Sequence, residues 1–231
     1  MAATKPGGDE GRRPGGDELP AGEIGAIFAA ARRVTLRPGS VVLSEGDDAE
    51  RVVLVLSGRL KVSTVSEGGR ETVLGFRGRG DLIGELAAID GEPHLATVVV
   101  VEPAEVATLT TARFIDGLRE HPGAALGVLR TVIARLRDAD RKRAEFADLP
   151  ADARVAERLV ELAGAVAAPA GGPGSPVDLA ITQAEIAGWV GCSREAANRA
   201  LNRFRGDGLV EIGRGRVTVL DVAGLRRIAR S

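Results

Sequence analysis

Between about residues 34 and 109 the apolar positions are mostly β-branched. They come in short runs cut by Pro38-Gly39, Glu45-Gly46-Asp47, Ser57-Gly58, Gly68-Gly69, Gly78 and Gly80. Short strands at this spacing predict an antiparallel roll or barrel. The clearest hairpin is expected at Ser57-Gly58, between strands over 52–56 and 60–65, because glycine accepts the positive φ of a tight turn.

After Pro122 the period changes from two to between three and four. Ala125, Leu129, Val132, Leu136, Ala139 and Phe146 follow one another at steps of three and four, broken only by Arg143, and Arg130, Arg135, Arg137, Asp138, Arg141 and Lys142 crowd the other side. A narrow apolar seam opposite a charged face predicts one long helix lying against a twin, in a parallel homodimer. A further helix is expected over 153–166, followed by a Gly/Pro-rich loop over 169–176.

The last third carries sharper signals. Thr182 and Glu185 have the T-x-x-E spacing of a capping box and open a helix running through Trp189 and Val190. Gly191-Cys192-Ser193 interrupts it, with Gly191 supplying a turn and Ser193 capping a second helix over 194–204 whose Ala197, Leu201 and Phe204 face a core. This is the pattern of a helix-turn-helix. Gly208 ends the second helix, two strands around Gly213-Arg214-Gly215 form a hairpin wing, and Asp221 caps a final short helix.

Composition narrows the class. The chain has 231 residues, 44% of them hydrophobic, enough for two modest domains. Its single cysteine, Cys192, excludes an internal disulfide framework or a cysteine-rich cluster and fits a reducing cytoplasm. No run approaches the roughly 18 apolar residues that span a bilayer, and no secretory leader is legible, so a protein with no membrane association is expected. Residues 1–20 are Gly, Pro and charge, with PGGDE written twice, and are expected to form a disordered arm. The letters GGDE resemble the signature of diguanylate cyclases, but that motif needs a large α/β domain for which there is no room. No nucleophile-base pair, carboxylate pair or metal-ligand cluster is legible, and His94 and His121 stand alone, so neither an enzyme nor a metal site is expected.

The formal net charge of −1 excludes a uniformly basic nucleic-acid coat, so any DNA contact must come from a local patch. One exists: across 193–216 six arginines face three acids. The second helix carries Arg194, Glu195 and Arg199 in its first turns, the end that enters a major groove in this motif. An arginine fork matches guanine O6 and N7, and a glutamate accepts from cytosine N4. The competing reading is a surface ion pair between Glu195 and Arg199 at i and i+4.

Taken together, Ile181-Thr182, Glu185-Ile186, Val190-Gly191-Cys192-Ser193-Arg194-Glu195 and Arg199 closely resemble the recognition unit of the cyclic-AMP receptor protein family (CRP/FNR), over about residues 24–229. The resemblance implies an α+β architecture: an antiparallel, cyclic-nucleotide-binding-like β-roll over 21–120, a dimerisation helix over 121–150, and a winged helix-turn-helix domain over 151–231. It implies a dimeric transcription regulator that reads a TGTGA-like palindrome in double-stranded DNA and works with RNA polymerase. Ser193, Arg194, Glu195, Asn198 and Arg199 would face the DNA, with Asn198 standing where familiar members have glycine. The alternative class is a sensor domain acting through protein partners.

Gly80 to Ala87 followed by Pro93 to Thr97 resembles the family's phosphate-binding cassette, which places Gly84, Glu85, Leu86, His94, Leu95 and Ala96 at a ligand. The family's Arg-Ser pair is replaced here by His94-Leu95. That removes a permanent cation, a bidentate donor and a hydroxyl, and predicts weak cyclic AMP binding. On the long helix, Arg137 and Asp140 have the R-x-x-D spacing used by some cyclic di-GMP receptors. A cyclic nucleotide, cyclic di-GMP or no ligand at all are the three expectations for the effector.

Overall fold

The computed structural model describes residues 22–66, 69, 71–165 and 175–230, with backbone alone for 142, 143, 145–148 and 165. The expected arm, most of the 169–176 loop and the side chain of Phe146 lie outside the described residues.

The chain opens with α1 (Glu23–Ile27), β1 (Arg32–Leu36) and β2 (Val41–Leu43). Next come β3 (Arg51–Val65), β4 (Glu71–Arg77), β5 (Leu82–Ile83), α2 (Glu85–Asp90) and β6 (Thr97–Thr110). All six strands form one antiparallel sheet in which β6 pairs with β1, β2 and β3, and β3 also pairs with β4 and β5.

Ser57-Gly58 is not a hairpin turn. β3 runs through it as a single strand, and the ladder with β6 absorbs extra residues as bulges at Val55/Ser57, Ser57/Arg59 and Arg59/Leu60. Gly58 has φ +82°, and a Cβ there would lie 2.3 Å from Pro103 O. Glycine is needed because two backbones touch, a role of bulges as well as of turns. Each face of β3 is buried in its own core. Val53, Val55, Leu60 and Val62 pack with Val98, Val100 and Val106, while Val52, Leu54 and Leu56 pack with Phe28, Leu109 and Phe114. Burial on both sides makes the run continuous rather than alternating.

Two helices close this half, α3 (Thr111–Glu120) and the 27-residue α4 (Pro122–Asp148). The seam of α4 is rotated from the expected one. Ala124 and Val128 are buried, and Val132 packs beside them against the Phe28–Phe114 core, so Val132 faces its own domain. The outward stripe is Leu126, Leu129, Ile133 and Leu136, which are 53%, 52%, 40% and 60% exposed at steps of three, four and three. Arg135 and Asp138, expected on a solvated face, line a cavity.

The second half comprises α5 (Ala151–Ala165), β7 (Val177–Leu179), α6 (Gln183–Val190), α7 (Arg194–Gly206), β8 (Val210–Gly213), β9 (Arg216–Val219) and α8 (Val222–Ala229). β9 lies between β7 and β8. Leu159, Leu179, Ile181, Ile186, Leu201, Phe204, Val217 and Leu225 form its core. The two halves meet where α6 packs on β4. There Lys61 Nζ donates to Glu185 Oε1 at 2.8 Å and pairs with Glu71 Oε1 at 2.9 Å, and Trp189 meets Phe76 edge-on at 5.1 Å. Burial alone would lower the Lys61 pKa and raise that of Glu185. Their mutual hydrogen bond, joined by Glu71 for Lys61 and by Thr182 for Glu185, reverses both shifts and keeps the pair charged. No helix among the described residues is long and apolar enough to cross a membrane.

Candidate nucleic-acid interface and ligand cavity

The expected capping box is present, with the Thr182 hydroxyl accepting from Glu185 N–H and the Glu185 carboxylate accepting from Thr182 N–H. Gly191 ends α6 in the left-handed region at φ +68°, where a side chain would be strained. Ser193 Oγ accepts from Ala196 N–H at 3.1 Å and opens α7. Ala197, Ala200, Leu201 and Phe204 are buried beneath α7, so the helical period turns Arg194, Glu195 and Arg199 outward, all exposed.

Glu195 and Arg199 form no ion pair among the described residues, so the competing surface-pair reading lacks its contact. Hydrogen bonds from its own backbone N–H and from the Ser193 hydroxyl hold the Glu195 carboxyl below its ordinary range, leaving it a pure acceptor at neutral pH. Asn198 is half-buried at the edge of this face, and its Oδ1 is buried without a hydrogen-bond partner. Arg214 and Arg216 are exposed in the β8–β9 wing.

A cavity of about 520 Å³ lies where β4, the segment from β5 to α2, α4 and α6 converge. Gly84, Glu85, Leu86, His94, Leu95 and Ala96 all line it. Gly84 stands at φ +81°, where a Cβ would come within 2.8 Å of Arg51 O. Glu85 is 2% exposed and accepts from Arg135 Nη1, while Arg135 Nη2 donates to Leu82 O at 2.9 Å. His94 is buried, and burial, reinforced by Arg51 and opposed by Asp47, lowers its pKa, so the imidazole is neutral at pH 7. Leu95 is 68% exposed at the mouth.

Arg137 and Asp140 are exposed on α4 and do not line the cavity. Arg135 and Asp138, two residues earlier at the same R-x-x-D spacing, do. The stripe Ala124, Val128, Val132, Arg135 carried the signal, since it continues the buried face of α4. Arg77 of β4 and Trp189 of α6 also line the cavity and were not anticipated. No group of three metal-binding side chains occurs among the described residues.

A roll bordering a cavity with several charged groups in its wall, joined by a long helix to a winged helix-turn-helix, is the build of a one-component transcription regulator. The cyclic nucleotide-binding domain matches residues 33–121, and the Crp-like helix-turn-helix domain matches 153–228. The chain is 30% identical over 209 residues to the CRP-like cAMP-activated global transcriptional regulator of Mycobacterium tuberculosis, covering 90% of this chain and 92% of that one. It is 31% identical over 189 residues to the cAMP-activated global transcriptional regulator Vfr of Pseudomonas aeruginosa, covering 78% and 85%. The structure of the c-di-GMP responsive global regulator CLP of Xanthomonas campestris superposes with a TM-score of 0.71 at 26% identity, over 87% of this chain and 99% of that one. The chain belongs to the CRP/FNR family of transcription regulators, and these three relatives are named as regulators rather than enzymes.

Proposed function

We propose that the chain acts in the cytoplasm as a homodimer joined along α4, and that it regulates transcription by reading a two-fold palindrome with TGTGA-like half-sites. In this reading residues 21–120 sense, 121–150 dimerise and 151–231 bind DNA. The observation that carries it is the outer face of α7: Arg194, Glu195 and Arg199 are exposed, with a carboxylate held ionised beside two arginine forks. Ser193 and Asn198 flank that face, and the wing arginines can reach the phosphate backbone. RNA polymerase is the expected partner once DNA is bound.

The cavity takes a small effector of the nucleotide class, held at one end by Gly84 and Glu85. Two relatives are named as cAMP-activated and one as c-di-GMP responsive. Here cyclic AMP is a weak ligand, because a neutral His94 and an aliphatic Leu95 stand where the phosphate would need a cation and a hydroxyl. Selection from a random duplex pool tests the DNA side. The protein should enrich an inverted repeat with half-sites about one helical turn apart. Enrichment of a lone half-site or of no sequence would contradict the reading.

A further inference from the structure

The cavity's charges do not cancel. Three carboxylates line it, and each already has an arginine: Glu85 is paired with Arg135, Asp138 with Arg141, and Glu161 with Arg158. Two arginines line it as well. Arg135 is spent on Glu85 and on Leu82 O. Arg77 is not. Its Nη1 donates to Phe76 O at 2.8 Å, and it enters no ion pair among the described residues. A guanidinium has five donor hydrogens, so most of its hydrogen-bonding capacity remains available. Desolvation first, and then the neighbouring Arg135, disfavour its charge; Asp81, Glu85 and Asp138 offset this only in part, and an incoming anion would relieve the rest.

Beside Arg77 the wall is aromatic. Phe76, the preceding residue, meets Trp189 with ring centroids 5.1 Å apart at an interplanar angle of 73°, and both rings line the cavity. An unspent guanidinium next to an aromatic surface fits a phosphate attached to a flat, stackable base.

We propose that Arg77 holds the effector's phosphate in place of the missing cassette arginine, with the effector's base against Phe76 and Trp189. This rests on the reading of the cavity as the effector site. The anion then sits against β4 rather than against His94-Leu95, and the ligand touches α6, the first helix of the DNA-reading pair.

Trp189 is the sole tryptophan and the chain has no tyrosine, so intrinsic emission reports this wall alone. The full chain is titrated with cyclic AMP, cyclic GMP, cyclic di-GMP and inorganic phosphate, following both tryptophan emission and heat. At least one nucleotide should change Trp189 emission saturably, while inorganic phosphate should not. Arg77→Gln should weaken that nucleotide roughly tenfold to a hundredfold, as expected for loss of a hydrogen-bonded charge pair, and Arg77→Lys should recover part of the loss. The mononucleotide and dinucleotide arms identify the ligand's size. Equal affinity in wild type and Arg77→Gln would overturn the proposal, as would the failure of every nucleotide to move Trp189 emission. Palindrome binding by the ligand-free Arg77→Gln variant is measured alongside. Absence of palindrome binding in wild type and variant alike, both without nucleotide and with each nucleotide at saturation, would count against the regulator reading instead.

Discussion

Leu136→Glu is expected to sediment as a monomer at micromolar concentration and to lose binding to the palindrome with it. Leu126, Leu129, Ile133 and Leu136 form an a/d stripe on the outer side of α4, 40–60% exposed, and nothing else in the described chain covers it. Covering such side chains contributes about 25 cal/mol per Å², so four from each of two helices supply much of what a parallel pair requires. A carboxylate within that seam, opposite its own symmetry mate, would be desolvated and facing a like charge. The comparison with Val132→Glu separates interface from fold. Val132 packs inward beside Val128, Phe28 and Phe114, so a charge there should lower the melting temperature of the sensor half before it affects association. A Leu136→Glu dimer as tight as the wild type would move the interface elsewhere.

Arg199→Ala should leave fold and dimer intact and relax selectivity at one guanine of each half-site, at about 1–3 kcal/mol, or roughly 5- to 150-fold, per half-site. Its side chain is exposed on α7 and makes no ion pair among the described residues, so removal should leave the fold undisturbed. The readout is a set of single-base variants of the selected site. If the variants and the parent weaken by the same factor, Arg199 is a phosphate contact, and the salt dependence of binding should fall by about one counterion.

Local chemistry made the DNA-reading half legible. A capping box at Thr182–Glu185, a left-handed glycine at 191, an N-cap at Ser193 and a glycine-flanked wing are each decided within a few residues, and each occurs where the spacing predicted. β7 escaped because three residues, Val177–Leu179, are too few to show a period. In the sensor half, tertiary contact decided. Ser57-Gly58 has turn composition, but its glycine serves the approach of β3 to β6. On α4 several apolar registers coexist over 124–136, and sequence alone could not say which faces home. Spacing alone picks out Arg137 and Asp140, and it is Arg135 and Asp138, at the same spacing, that line the cavity. Arg77 and Trp189 lie 112 positions apart in sequence and come to line one cavity through the packing of α6 on β4, where Phe76 meets Trp189.

The central claim, that two copies of α7 read one palindrome together, is tested most directly by changing half-site spacing. Fluorescence anisotropy is measured on the selected duplex and on the same duplex lengthened at its centre by about 5 bp, half a helical turn, which puts the second half-site on the opposite face. Two protomers per duplex on the parent site, with affinity falling to that of a single half-site on the lengthened one, is the expected result. Equal affinity for both duplexes would show that each helix-turn-helix binds alone and would contradict the account.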